Sequence, residues 1–274
     1  MDSTNFSLLI AVYEGENPVH FSQCLESIIN QEYRPTETVI VKDGSLTDEL
    51  EVVIDNFRLH YDERLVTVEL PENQGAGKAY DMGLQYCSQP LVAQIGADDI
   101  AAEGRFEKQV NFLRTNPDID VVGGYIEEFE NSVNNVVGIR EVPLDPSSVE
   151  RYARFRSPIN HTSVMFRKDA VLEVGGFRDL RRQQDYDLWV RLLMSGYSIA
   201  NIPEILAKAR VGESFYERKG GILNIRHDVK TQWYFYRIRF ISPSIMVFNI
   251  LSRLILKLVP NRLRSTIYKS ILRE

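Results

Sequence analysis

The chain has 274 residues, 44% hydrophobic and 26% charged, with 16 glycines and 11 prolines. This composition is that of a globular protein and excludes wholesale disorder, collagen-like repeats and a polytopic membrane protein. The net charge of −6 is uneven: residues 237–274 carry eight basic side chains against Glu274 alone, +7 in all, which leaves −13 on residues 1–236. A body this acidic excludes nucleic acid as a partner and sets the cationic end apart. Cys24 and Cys87 make no disulfide framework, and with no basic-then-apolar leader at the start, a reducing cytoplasmic location is expected.

In chain order, residues 6–13 read as a buried strand, and residues 18–30 as a helix with Phe21, Leu25, Ile28 and Ile29 on one face. A strand follows at 38–41, a helix at 47–58, an extended segment at 65–69, a helix at 77–87 and a buried strand at 91–95. Such alternation predicts a mainly parallel sheet with helices on both faces. Beyond residue 104 a helix carries Phe106, Val110 and Leu113, residues 121–129 form a strand, and 131–160 are loop-rich. A further helix starts near Asp185 and turns Leu188, Trp189 and Leu192 inward.

In an open parallel sheet the ligand crevice lies beyond the carboxyl ends of the strands. Those ends read Ala11-Val12-Tyr13-Glu14, Lys42-Asp43-Gly44-Ser45 and Gly96-Ala97-Asp98-Asp99, and they lack the G-x-G-x-x-G and G-x-x-x-x-G-K-[ST] phosphate loops. A Rossmann dehydrogenase and a P-loop NTPase are therefore disfavoured. Adjacent acids at a strand end suit a hard divalent cation, Mg²⁺ or Mn²⁺, shared with a substrate diphosphate, although one of the two could instead cap the next helix. Asp43 could accept a hydrogen bond from a base imide while Tyr13 supplies an aromatic face; an Asp-Gly turn and core packing are the plainer alternatives. The glycines of Asn73-Gln74-Gly75-Ala76-Gly77-Lys78 permit close approach to phosphate at a helix start, with Lys78 as a cation, but read alone the segment favours a flexible turn with a solvated Lys78. Among the later carboxylates Asp185 is the best-placed base for a sugar hydroxyl, although any acid is favoured in a first helical turn. His161 suits contact with an acceptor or diphosphate, or a structural hydrogen bond. Neither Ser163 nor either cysteine has the partners of a nucleophile.

Six strings in order, FSLLIAVYEGEN, TVIVKDGS, ENQGAGKAYDMGL, QIGADDIAAEGRFEKQVNFL, NHTSVMFRKDAVLEVGGF and QQDYDLWVRLLMSGY, make residues 5–212 resemble the inverting family-two glycosyltransferases. The resemblance is greatest to bacterial transferases that build exopolysaccharide, capsule and O-antigen. It implies an α/β GT-A fold, a Rossmann-like, mainly parallel mixed sheet flanked by helices, with a catalytic domain at 1–215. Residues 1–103 would bind the nucleotide-sugar and 104–215 the acceptor, leaving a basic helical extension at 216–274. It also implies that Ala11 and Tyr13 line the base pocket, Asp43 reads the uracil, Asp98 is the metal-binding end of a D-x-D motif, and Asp185 is the acid of a Glu-Asp pair acting as base. Gly96 and Gln184 depart from the family, standing where Asp and Glu are usual. The implied reaction is one in-line displacement from a UDP-sugar to a hydroxyl of a polyprenyl-diphosphate-linked glycan. A sugar-nucleotide nucleotidyltransferase and a non-catalytic membrane-bound partner are the rival readings. The first would carry a Gly-rich, Arg-containing loop where this chain has AVYEGENP.

Residues 245–259 form an apolar helix with Asn249, Arg253 and Lys257 in one polar stripe, too short for the ~20 residues of a span. Pro260 ends it, and Leu263, Ile267 and Ile271 begin a second amphipathic piece. The expectation is a helix lying in a membrane surface through residues 244–273, its cations toward anionic headgroups, with the enzyme peripheral on the inner face of the bacterial cytoplasmic membrane. The alternative is packing on the catalytic domain or a dimer contact.

Overall fold

The structure is a computed structural model and describes residues 5–61, 63–212 and 222–258. The first strand, β1 (Phe6–Val12, FSLLIAV), is apolar almost throughout because both of its faces are covered. It pairs in parallel with β2 (Glu37–Lys42) on one side and β4 (Leu91–Gln94) on the other, and β3 (Arg64–Glu69) lies parallel beyond β2. The helices between them are α1 (Pro18–Ile29), α2 (Asp48–His60) and α3 (Ala76–Tyr86). Local signals start the first two: the Asn17 side chain accepts the Val19 and His20 N–H groups ahead of Pro18, and Thr47 caps α2 before Asp48, Glu49 and Glu51.

The sheet continues past β4 with antiparallel β8 (Met165–Arg167) and β6 (Val121–Phe129), then β9 (Ile199–Arg210) parallel to β6, and the short β5 (Ile100–Ala101) at the edge. Alternate β1 side chains divide the core. Leu8, Ile10 and Val12 face α1, α2 and α4 (Arg105–Thr115), whereas Leu9 faces α3, α5 (Pro146–Ala153), α6 (Lys168–Glu173) and α7 (Gln184–Met194). This is the α/β architecture expected.

The loop-rich expectation for 131–160 is corrected: β7 (Val136–Arg140) forms a hairpin with β6, and α5 is capped by Asp145. β7 is mostly half-exposed and α5 is eight residues long, so neither leaves a strong periodic signal. The twelve-residue β9 is hidden for another reason. Its pairing with β6 jumps from Ile202 to Ile205, and this irregularity admits Pro203 into a strand whose neighbours would otherwise need its N–H.

After β9 come α8 (Ile222–Arg237) and α9 (Pro243–Leu258). They dock on α7 through Tyr186, Val190, Phe235 and Ile241, with Tyr186 edge-on to Phe235 at 4.9 Å between ring centroids. Of the stripe expected to face headgroups, Asn249 and Arg253 turn inward instead, and the side chain of Lys257 lies outside the described residues. The buried Asn249 amide donates to Arg154 O and Gln232 Oε1, both at 2.8 Å, and Arg253 Nη2 donates to Phe155 O at 2.8 Å. These amide and guanidinium donors satisfy backbone carbonyls at the end of α5, a demand that helical periodicity alone does not reveal. No helix among the described residues is long and apolar enough to cross a membrane. Pro260, Leu263, Ile267 and Ile271 lie outside the described residues.

Candidate active site

At the carboxyl ends of β1, β2 and β4 the chain leaves a cavity of about 370 Å³. It is lined by Ala11, Tyr13 and Glu16 after β1, Asp43 after β2, Gly96 to Asp98 after β4, Asn73, Gly75, Ala76 and Tyr80 around α3, and Arg181 and Arg182 before α7. Four sequence candidates, Ala11, Tyr13, Asp43 and Asp98, therefore share one opening. Lys78 is half-buried on α3 and is not among the lining residues.

Asp43 has a structural task and also lines the cavity. It is buried, and its two carboxylate oxygens accept the Gln74 and Gly75 N–H groups at 2.7 and 2.9 Å. It thus ties the start of α3 to β2 while still reaching the cavity.

The 96–99 turn is braced from below. Fully buried Arg105 donates from Nη2 to Gln94 O at 2.6 Å and from Nε to Gln109 Oε1 at 3.0 Å. Burial pushes its guanidinium down to about 9. Asp99 turns away from the cavity mouth: its Oδ1 accepts the Arg210 N–H at 3.1 Å, and Arg210 Nε donates to Asp98 O at 3.3 Å. Burial and the adjacent Asp98 charge raise the Asp99 carboxyl to about 7. A Cβ at Gly96 would lie 2.6 Å from Asp99 Oδ2, so a side chain there would require the Asp99 carboxylate to shift.

The two acids of the α7 start separate cleanly. Asp187 is buried between Arg178 (3.0 Å) and Arg191 (2.8 Å), and Arg191 also donates to Val174 O and Gly176 O. Asp185 is half-exposed and makes no hydrogen bond or ion pair with other described residues. Gln183 just before it adopts a left-handed backbone (φ 59°) and donates through Nε2 to Asp228 of α8.

Tyr80 and His161 feel the charges of both groups of acids. Their rings meet edge-on, with Tyr80 Oη 3.5 Å from His161 Nε2. Burial, then the charges of Asp99, Asp98, Asp185 and Glu16, push the Tyr80 hydroxyl far up. Burial lowers His161 against the opposing pull of Asp185. The neighbouring Thr162 hydroxyl accepts the Gly96 N–H at 3.3 Å. A carboxylate at a strand end, an uncommitted carboxylate at a helix start, and a neutral histidine that feels both charges can bind a polar ligand and remove a proton from it.

The sequence pattern of the family described as Glycosyl transferase family 2 matches residues 7–188. The chain belongs to that family. Among relatives of family two, the UDP-Gal:alpha-D-GlcNAc-diphosphoundecaprenol beta-1,3-galactosyltransferase of Escherichia coli is 35% identical over 273 residues, 100% of this chain and 98% of the relative. The amylovoran biosynthesis glycosyltransferase AmsE of Erwinia amylovora is 34% identical over 225 residues, 82% of this chain and 83% of the relative. In structure, the mannosyltransferase PcManGT of Pyrobaculum calidifontis, solved with GDP-Man and Mn²⁺, superposes with a TM-score of 0.66 at 17% identity, over 95% of this chain and 71% of its own. S. aureus TarS 1-349 with UDP gives 0.60 at 20% identity over 78% of this chain, which spans 63% of that fragment. The chain is a family-two glycosyltransferase with the GT-A fold.

Tyr80, Glu16, Asn73, Arg181 and Arg182 were not singled out by sequence reasoning. Tyr80 reads as one more core residue at helical spacing, and two arginines in a loop read as solvated. Only the closure of that loop over α3 brings them to the cavity.

Proposed function

We propose that this transferase moves a sugar, with inversion, from a UDP-sugar to a hydroxyl of a polyprenyl-diphosphate-linked glycan during assembly of bacterial surface polysaccharide. The observation that carries the reading is the single cavity holding Tyr13, Asp43 and Asp98, with the uncommitted Asp185 beside it. Support for the donor and acceptor classes comes from the name of the E. coli relative.

In this reading Ala11 and Tyr13 cover the base, and Asp43 accepts from the uracil imide. Asp185 takes the proton of the acceptor hydroxyl as its oxygen attacks C1, a role worth about 10²- to 10⁴-fold. His161 contacts the acceptor or the diphosphate. Asp98, with Asp99 behind it, suits Mg²⁺ or Mn²⁺. An ion there would share diphosphate oxygens with these carboxylates. Such an ion, when bound, supplies Lewis-acid neutralisation of charge on the departing diphosphate.

Residues 1–215 then serve as the catalytic domain and 216–274 as the extension that meets the inner face of the cytoplasmic membrane. With Asn249 and Arg253 turned inward, the side of α9 offered to lipid is Val247, Phe248, Leu251 and Ile255, which are 51, 60, 54 and 65% exposed.

UDP release is the test. A panel of UDP-sugars is incubated with the purified chain, with and without a short-chain polyprenyl-diphosphate-linked sugar. Acceptor-dependent UDP release and a glycosylated lipid product are expected. Release that ignores every acceptor would sink the reading.

A further inference from the structure

The reading above places a nucleoside diphosphate, with at least two negative charges, in a cavity that already holds Glu16, Asp43 and Asp98. Carboxylates alone would repel it, so cations are needed at the wall. The sequence offered Lys78, but the lining residues that carry positive charge are Arg181 and Arg182. The other cations nearby are not in the lining: Lys42 pairs with Glu51, Arg178 and Arg191 with Asp187, and Arg210 with Asp98 O and Gln23. Arg181 makes no hydrogen bond or ion pair with the other described residues.

The segment that carries the two arginines is fixed on both sides. Asp81 of α3 accepts the Phe177 N–H at 3.1 Å. A Cβ at Gly77 would overlap Arg178 O and come within 2.7 Å of Leu180 O, and one at Gly75 would be 3.1 Å from Arg181 Cγ. The backbone of 178–181 therefore lies directly on the first turn of α3. On the other side, Arg178 stacks on Tyr234 of α8 at 4.5 Å, and Gln183 bonds Asp228. Two residues past Gln183 comes Asp185. One short, anchored stretch thus presents two guanidinium groups to the donor cavity and a carboxylate next to it.

We propose that Arg181 and Arg182 form a cationic clamp on the donor diphosphate, binding its oxygens and neutralising the charge that collects on UDP as the bond to C1 breaks. The planar guanidinium fork matches two phosphate oxygens at once, which a lysine cannot reproduce. The clamp rests on the donor reading given above, and its test separates the two.

Calorimetric titration of the full chain with uridine, UMP and UDP, in EDTA and again in Mg²⁺, reads the diphosphate contribution apart from that of the base. In EDTA the wild-type chain is expected to prefer UDP to uridine. Arg181→Gln and Arg182→Gln should each weaken UDP about tenfold while leaving uridine within about twofold. Arg182→Lys should restore part of the loss, because it returns charge without the fork. Equal weakening of uridine and UDP, unchanged UDP affinity in both variants, or a wild-type chain without preference for UDP in EDTA would overturn the clamp. A wild-type chain that binds none of the three nucleotides in either buffer would overturn the donor reading along with it.

Discussion

Asp185 and Asp187 sit two residues apart in the first turn of α7 and have opposite prospects. Asp187 is locked between two arginines, so Asp187→Asn breaks a buried ion pair and should cost about 3–5 kcal/mol, seen as a lower Tm. Asp185→Asn breaks no such contact. It should leave Tm and UDP affinity intact while transfer falls by about 10²- to 10⁴-fold; activity within a few-fold of wild type would remove Asp185 from the role of base. In sequence the two acids are equivalent, since a first turn favours either, and only the positions of Arg178 and Arg191 tell them apart.

His161 carries a pH prediction. It faces Tyr80, Asp185, Arg105, Arg140 and Asp98, and burial holds it below its ordinary 6.5. Between the lowered value and 6.5 the unfolded chain binds a proton that the folded chain does not, so this residue's contribution to stability is present above 6.5 and is lost as pH falls. Calorimetric melts at pH 7.5 and 5.5 should differ less for His161→Asn than for wild type. An unchanged difference would contradict this account.

Among the elements, the seam between α3 and residues 176–182 matters most. Gly77 in a helix would ordinarily be improved by alanine, by about 1 kcal/mol. Here the added methyl meets Arg178 O and Leu180 O, and overpacking costs about 1–3 kcal/mol, so the clash wins. Gly77→Ala should lower Tm and, by shifting the loop that leads to Asp185, reduce kcat more than it weakens UDP binding. The glycines of ENQGAGK pointed in sequence to close approach by phosphate. At Gly77 the close approach is made by the chain's own backbone, a long-range contact that no local pattern encodes. The strands β1, β2 and β4 were legible as short apolar runs and their helices by a repeated apolar face. Short α5, half-exposed β7 and Pro-containing β9 escaped because none of them shows a strong apolar pattern of either kind.

At the scale of the molecule, the candidate site was legible where it depends on strand ends. Asp43 and Asp98 share a cavity because parallel strands place their carboxyl ends on one edge. The cationic wall was not legible, since Arg181 and Arg182 arrive through the docking of one half of the sheet's helices against the other. The extension followed the same logic. Its amphipathic helix was visible, but which side faced the body was not, because that depends on carbonyls at the end of α5. Asn249→Leu should therefore destabilise the fold by about 1–3 kcal/mol, measured by chemical denaturation, by stranding the carbonyl oxygens it serves. By contrast, Phe248→Glu with Leu251→Glu should leave Tm unchanged and abolish flotation with phosphatidylglycerol vesicles; retained flotation would remove α9 as the contact.

The inward amide of Asn249 has a practical corollary for handling this enzyme. With Asn249 and Arg253 bonded to the body, α9 leaves an oily ridge of phenylalanine, leucine and isoleucine in water. Copies kept without bilayer or micelle should stick together through that ridge, and a mild detergent should return them to single particles in light scattering.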